Sequence, residues 1–509
     1  MLGSALIEVL RGSFIERKGK ANSMLSARNP RFAPERLAKL GGFAIAAILS
    51  IRTADWVPAV GAAVLIAIWE YLPNDDGVPV LPIAFSFQWL QVYVGVFYRA
   101  ITGRPLTAHG NGPDYHLFEA FGTAWLIALL LGVCVGAGRA RNRERPSLPM
   151  PALDERYLWP VYVALAASQP YIANHAWDYP RLTQLLIYGM LVRYALIFIL
   201  FRRLIARNAW PLFVLLLGLE VIIGTIGGFA GYRDAFCMAA LALLERFRFT
   251  RIRHYAITGM LALLLVSLSV IWTGIKSEYR SSVNSGAVDD SASSRAGALG
   301  NLTSNWFTRD RQLVMRDADR GFDRLWQAYY SSFVFYRVPI IVPHSGGAIM
   351  NKAIAHVLMP RLFNPDKPEL ESDSLKVREY SGLAVAGAEA GTSIAFPAMT
   401  ESFVDYGAPL MFLPAFAYAA MVGALYRFLR RRIVHPDVAI PVLTIFCWFT
   451  CYLFERSWAK LLGITATIFV TICVTALIFD RVRTIRYLRT LAAPAGRVAA
   501  MREELPEQA

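Results

Sequence analysis

Charge is scarce in this chain: only 17% of its 509 residues are Asp, Glu, Lys or Arg, while 56% are hydrophobic. A soluble protein of that length needs more charged surface, so the composition points to a bilayer as the solvent. Cysteine is nearly absent too. Cys134, Cys237, Cys447, Cys451 and Cys473 all fall in apolar runs with no CxxC pair, which excludes a disulfide framework and a zinc site. There is no P-loop, no HExxH and no GxSxG elbow, and Asp289-Asp290 stands in a Ser/Gly/Ala-rich stretch without further ligands. Neither a metal nor any other cofactor is called for. Residues 1–39 lack the apolar core and small-residue cleavage site of a secretory leader, and read as a basic cytoplasmic extension. No repeat relates the two halves, which counts against a two-bundle transporter.

What the sequence does have is a succession of apolar runs. They lie near 38–52, 56–72, 79–98, 116–137, 157–175, 182–201, 210–230, 234–246, 254–274, 407–426, 438–455 and 461–479. Each approaches the roughly 20 residues that a helix needs to cross hydrocarbon. The expected fold is therefore all-α: a polytopic transmembrane helical bundle of about twelve spans.

The net charge of +15 is explained by where the arginines fall. Clusters at 139–145, 202–207, 246–253, 427–432 and 481–489 each follow an even-numbered run, as Lys and Arg held on the cytoplasmic side require. Arg99 and Arg104 oppose that register, but two charges do not outweigh five clusters. No nucleic-acid motif accompanies the charge, so nucleic acid is not an expected partner. The organisation that follows is a cytoplasmic extension over 1–37, spans one to nine over 38–274, and a large, partly helical periplasmic loop over 275–400. Spans ten to twelve then occupy 401–480, and a cytoplasmic tail 481–509. Within the loop, Ser281 to Gly300 has the composition of a flexible segment. Phe322 to Phe363 is rich in aromatics and should pack as amphipathic helices on the membrane face.

Several charged residues lie on that outer side. GGAIMNKAIAHVLMPRLFNPDKPEL, from Gly346 to Leu370, sets Arg361 and Lys367 among Pro360, Pro365 and Pro368, a stiff cationic turn suited to an anion or equally to solvent. GTIGGFAGYRDAF places Arg233 and Asp234 after Gly224, Gly227, Gly228 and Gly231, which fits phosphate binding or close helix packing. Lys276 and Arg280 in KSEYR share a helix face, as a binding stripe or as ordinary snorkelling groups. In GTSIAFPAMTESFVDYG, Glu401 and Asp405 are four residues apart, and Tyr406 follows. A carboxylate there can accept a hydroxyl proton, or the acids can complement a helix dipole. His344 in VPHSGG is a second candidate base, with His356 its competitor. Glu220 and Arg193 are intramembrane ionisable groups that can pair or line a path.

Two of these stretches, MPRLFNPDKPEL (Met359–Leu370) and TSIAFPAMTESFVDYGAPL (Thr392–Leu410), resemble segments of the bacterial O-antigen and exopolysaccharide repeat-unit polymerases, the Wzy-type family related to O-antigen ligases. The likeness extends over about 224–426 and includes Gly231-Tyr232-Arg233, whereas the earlier spans agree only in being apolar. The resemblance implies a glycosyltransferase of the inner membrane acting on undecaprenyl-diphosphate-linked oligosaccharides among membrane lipids. A protein partner that sets chain length would also be in keeping with it. Arg233, Arg280, Arg361 and Lys367 would then bind the diphosphate, with Glu401 or His344 as base and Asp405 and Tyr406 in support. Two alternatives share the topology: an O-antigen ligase, and a polytopic transporter or flippase.

Overall fold

The computed structural model describes residue 44 and residues 56–73, 78–103, 115–138, 150–226, 232–245, 252–284, 292–361, 363–364, 366–368, 371–387 and 393–503. The expected first run at 38–52 apart from residue 44, the cluster at 139–145, Gly227, Gly228, Gly231 and Pro365 lie outside the described residues.

Among the described residues every element is a helix, in keeping with the all-α expectation. The first half holds α1 (Val57–Tyr71), α2 (Val80–Thr102), α3 (His116–Ala137), α4 (Glu155–His175), α5 (Thr183–Gly189), α6 (Val192–Ala206), α7 (Trp210–Ile226) and α8 (Tyr232–Glu245). Then come α9 (Ile252–Asn284), α10 (Ala292–Phe307), α11 (Arg311–Leu325), α12 (Ala328–Arg337), α13 (Ala348–Leu358), α14 (Asp373–Ser381) and α15 (Ala398–Tyr406). The chain closes with α16 (Phe412–Arg432), α17 (Pro436–Cys451), α18 (Trp458–Ile468), a π turn over Phe469–Val474 and α19 (Thr475–Glu503).

Six stretches among the described residues are long and apolar enough to cross a membrane: Val80–Thr102, His116–Ala137, Thr183–Ala206, Tyr255–Val283, Phe412–Arg432 and Trp458–Arg489. Val57–Tyr71, Trp210–Gly224 and Pro436–Cys451 are apolar but shorter.

Small residues set the tightest packing. Gly132 and Gly136 of α3 lie against the backbone of α16 at Phe416 and Ala420, and Gly423 of α16 lies against Val133 of α3. A Cβ at any of the three would collide with that backbone, the close-approach geometry that draws membrane helices together without a hydrophobic drive. Trp326 uses the same device. Its ring covers Gly95 of α2, and its indole N–H donates to the Val92 carbonyl at 3.0 Å.

The polar contacts sort the helix ends into two groups. At one end Arg202 of α6 grips Glu245 of α8 at 2.5 Å, while Arg203 reaches Asp437 of α17 at 3.0 Å and Glu155 of α4 at 3.4 Å. Asp480 of α19 accepts from the Val434 and His435 amides there as well. At the other end the segment 292–406 gathers: Tyr98 bonds Asp319, Trp326 enters between α2 and α3, and Gln327 bonds Glu455. Arg202 and Arg203, of one of the expected clusters, therefore lie at the end of the bundle away from the contacts of the segment 292–406.

Part of that connection differs from the flexible segment expected. α9 runs on through Ser281 to Asn284, and residues 292–307 form α10. Trp306 explains the order. Its buried indole sits on Gly274 of α9 and donates to Asp317 of α11 at 3.0 Å.

Candidate functional site

Glu401 lies in the first turn of α15 and is 1% exposed. Both its oxygens are engaged. Lys376 of α14 donates to Oε1 at 2.5 Å, and the Trp458 N–H at the start of α18 donates to Oε2 at 2.6 Å. Lys376 also reaches Asp373 at 2.9 Å, and Lys460 closes the row on Asp373 at 2.7 Å. Burial pushes the Glu401 carboxyl up, against the pull of Lys376. For Asp373 burial is outweighed by Lys376 and Lys460, which hold its carboxyl below the ordinary range. A cavity of about 150 Å³ opens beside this row, lined by Lys352, Asp373, Lys376, Glu379, Tyr380 and Glu401.

Asp405, one turn further along α15, has a different task. It accepts from the Ile349 and Met350 amides at 3.0 and 2.8 Å and from the Ser345 hydroxyl at 2.5 Å, so it caps the N-terminus of α13. The two acids thus have separate partners, and a shared role at the α15 dipole does not describe them. Tyr406 brings its hydroxyl against Gly347, whose left-handed φ of 90° turns the chain into α13. His344 is exposed beside them. Its Nδ1 lies 3.2 Å from the Val404 carbonyl and its ring meets Phe403 edge-on. A donating Nδ1–H leaves the Nε2 lone pair available as an acceptor.

Arg361 and Lys367 lie together beyond the C-terminus of α13, in a turn closed by the Phe363 and Asn364 amides on the Pro360 carbonyl. The Lys367 ammonium donates to the His356 carbonyl, a cation on the last turn of a helix. Burial first, and then Lys367 and Arg361, push the His356 imidazole down to about 4. Burial and Arg361 lower Lys367 as well.

Arg233 belongs to a third group. At the start of α8 its Nη2 donates to the Tyr452 hydroxyl at 3.0 Å, and its guanidinium carbon lies 5.3 Å from the centre of that ring. Arg456 approaches the same ring at 5.2 Å, and Trp448 stacks on it at 4.5 Å. Two guanidinium groups, 223 positions apart by the numbering 456 − 233, therefore share one buried tyrosine. The Arg233 Nε is buried and has no hydrogen-bond partner. Such a donor is costly to leave unmet, and an incoming anion would satisfy it.

The short segment between α17 and α18 joins this group to Glu401. The Arg456 side chain donates to the Phe449 carbonyl, the Arg456 carbonyl accepts from the Ala398 amide at 2.7 Å, and the Trp458 amide holds Glu401. Gln91 fastens the segment from α2, donating to the Tyr452 carbonyl at 3.0 Å.

Of the expected site residues, then, Glu401, Asp405, Tyr406 and His344 assemble around α15. Arg361 and Lys367 form a second group and Arg233 a third, while Arg280 stands half-buried on α9 in none of them. Arg193 and Glu220 resolve into a buried pair at 3.4 Å, with the Tyr162 hydroxyl donating to Glu220 at 2.7 Å.

Sequence reading missed Arg456, Lys376, Asp373 and Lys460. Arg456 carried a signal, since FERSW puts an arginine between the last two apolar runs, on the side where arginine is otherwise avoided. Asp373 and Lys376 sit in an ordinary charged helix and had none. Comparisons with known protein families, with curated proteins and with solved structures return no match.

Proposed function

We propose that this chain is a membrane polysaccharide polymerase that transfers a growing glycan from undecaprenyl diphosphate onto a lipid-linked repeat unit at the periplasmic face of the inner membrane. The observation that carries the reading is the convergence of Arg233 and Arg456 on Tyr452, with a buried guanidinium donor left unmet. Asp234 and Glu455 lie near enough to balance part of this charge, so the opening for an anion is the unmet Arg233 Nε, a buried donor that an incoming phosphate oxygen would satisfy.

In the reaction an acceptor sugar hydroxyl attacks the anomeric carbon of the donor glycan. The bond from that carbon to the diphosphate oxygen breaks, and its electron pair leaves with undecaprenyl diphosphate. Negative charge grows on the leaving oxygens, where the two guanidinium groups stabilise it. Diphosphate leaves without a general acid. The proton released by the acceptor passes to a base, and His344 is suited to this through Nε2, because the Val404 carbonyl holds Nδ1. Glu401, with both oxygens engaged, positions α15 against α14 and α18 in this scheme.

The sidedness belongs to the same proposal. Twelve spans with both termini in the cytoplasm put the Arg202 and Arg203 end inside and the 292–406 segment outside, and the contacts between helix ends support that arrangement.

The test uses purified protein in proteoliposomes with lipid-linked repeat units, and resolves the products by length. Arg233→Ala and Arg456→Ala should each slow chain extension by about 10- to 100-fold, the worth of one charge-assisted bond of about 1.5 to 3 kcal/mol. Unmerged single repeats should accumulate. Undiminished long glycans from a folded double variant would end the proposal, and a wild-type protein that moves repeats across the bilayer without lengthening them would be a transporter.

A further inference from the structure

α11 carries a row of arginines that none of the groups above uses. Arg316, Arg320 and Arg324 are four residues apart, so they share one face, and Leu313 begins the same face three residues earlier. All four are exposed. The helix has three acids: Asp317 accepts from Trp306 at 3.0 Å and from Arg309 at 3.3 Å, Asp319 accepts from Tyr98 at 2.5 Å, and Asp323 lies near Tyr115, Tyr329 and Tyr330. Of the three arginines only Arg320 approaches Asp317, at 3.9 Å, and it keeps 51% of its side-chain exposure. The outward face is therefore cationic although the helix as a whole contains both signs.

Its position relative to α9 identifies the partner. Arg309, just before α11, reaches Glu278 of α9 at 3.6 Å and the Gly274 carbonyl at 3.3 Å, Asp317 crowds Gly274, and Gly321 faces Thr273. α11 therefore packs on α9 around Thr273 and Gly274, next to the apolar portion of α9. That portion is among the least covered in the bundle, with Met260, Leu263, Leu264 and Val266 exposed, a face for lipid chains. Arginines beside such a helix extend their guanidinium groups to headgroup depth, where phosphates lie. Leu313 on the same face and Phe307 at the end of α10, 69% exposed, add apolar contact at that depth.

We propose that Arg316, Arg320 and Arg324 form a binding site for the phosphates of anionic membrane lipids, which seats the α10–α11 hairpin on the outer leaflet. Its assignment to the outer leaflet rests on the sidedness proposed above, but phosphate binding by this face does not depend on the reaction. Basic residues at a membrane surface give roughly a fivefold preference each, so the three together favour anionic over zwitterionic lipid on the order of a hundredfold.

The experiment uses the full-length protein in detergent, mixed with phosphatidylglycerol or phosphatidylcholine, and counts retained lipids by native mass spectrometry. The wild type should retain phosphatidylglycerol selectively. Arg316→Gln, Arg320→Gln and Arg324→Gln together should abolish the selectivity, while lysine at all three positions should keep most of it. A control with Arg481, Arg486 and Arg489 changed to Gln, at the far end of the bundle, should keep the selectivity for phosphatidylglycerol over phosphatidylcholine. Equal retention of phosphatidylglycerol by the wild type and a folded triple-glutamine variant would overturn the proposal, and would leave an acidic protein surface as the partner of this face. Loss of both lipids together would overturn it too, because a phosphate site discriminates between them.

Discussion

Removing the Glu401 carboxylate should loosen α14, α15 and the start of α18 together while the rest of the bundle holds. In Glu401→Ala, Lys376 loses its 2.5 Å partner but keeps Asp373 at 2.9 Å, and the buried Trp458 N–H loses its acceptor. Breaking one side of a buried ion pair costs about 3 to 5 kcal/mol. The surviving Asp373 contact puts this case at the lower limit, about 3 kcal/mol. That corresponds to roughly 150-fold faster opening of the local unit, at about 1.4 kcal/mol per decade. Amide hydrogen exchange followed by mass spectrometry reads this directly in peptides covering 373–381, 398–406 and 458–461. Glu401→Gln, which preserves an acceptor for Trp458, should lose only about half as much. Glu401→Leu combined with Lys376→Met removes both charges and should recover most of the protection, since a buried pair replaced by apolar groups is near neutral. Unchanged exchange in the alanine variant, or a double variant as exposed as the sum of its singles, would show that the pair does not hold these helices.

Three further outcomes follow from single contacts. Asp405→Ala leaves the Ile349 and Met350 amides without their cap, and should cost about 1 to 2 kcal/mol, seen as faster exchange confined to the first turn of α13. Gly136→Leu forces a side chain into the α16 backbone and should lower the unfolding midpoint in detergent by far more than Gly218→Leu, where nothing lies within 4 Å. His356 is pushed from 6.5 down to about 4, so the fold favours its neutral form. Its contribution is present above about 6.5 and is lost as pH falls toward 4, and His356→Gln should flatten that limb of an acid unfolding curve.

How much of this was legible depended on the distance over which each feature is decided. α3 spans His116–Ala137, the run read at 116–137, because a continuous apolar run long enough to cross a membrane is decided locally. The run at 182–201 broke into α5 and α6 around Met190 and Leu191, which no proline announces. The α10 stretch looked flexible by its Ser, Gly and Ala content, yet Trp306 orders it through contacts with α9 and α11. The partners of Glu401 were hidden for the same reason. Lys376 is 25 residues away and Trp458 57, separations at which spacing carries no information. Arg233 was found and its companion was not, since only the folded bundle brings α8 beside the end of α17.

That juxtaposition has a mechanical consequence. The segment from Tyr452 to Trp458 is held at each step: Tyr452 by Arg233 and Gln91, Arg456 by Phe449 and Ala398, and Trp458 by Glu401. On the proposed function, an anion that draws Arg233 and Arg456 off the Tyr452 ring would also pull on the Ala398 amide that begins α15, wherever the Arg456 backbone follows its side chain. The same helix carries Val404, whose carbonyl faces His344, so such a pull would be expected to reach the imidazole through α15. Tyr452→Phe keeps the ring but removes the hydroxyl that Arg233 bonds, and should loosen that guanidinium while leaving the Arg456 and Ala398 contact intact. The Tyr452→Ala change removes the ring that both cations share and should release both ends of the linkage. A difference in exchange at 398–406 between these two variants therefore separates a coupled segment from two independent sites, and identical protection in both would mean that Arg456 does not transmit the change.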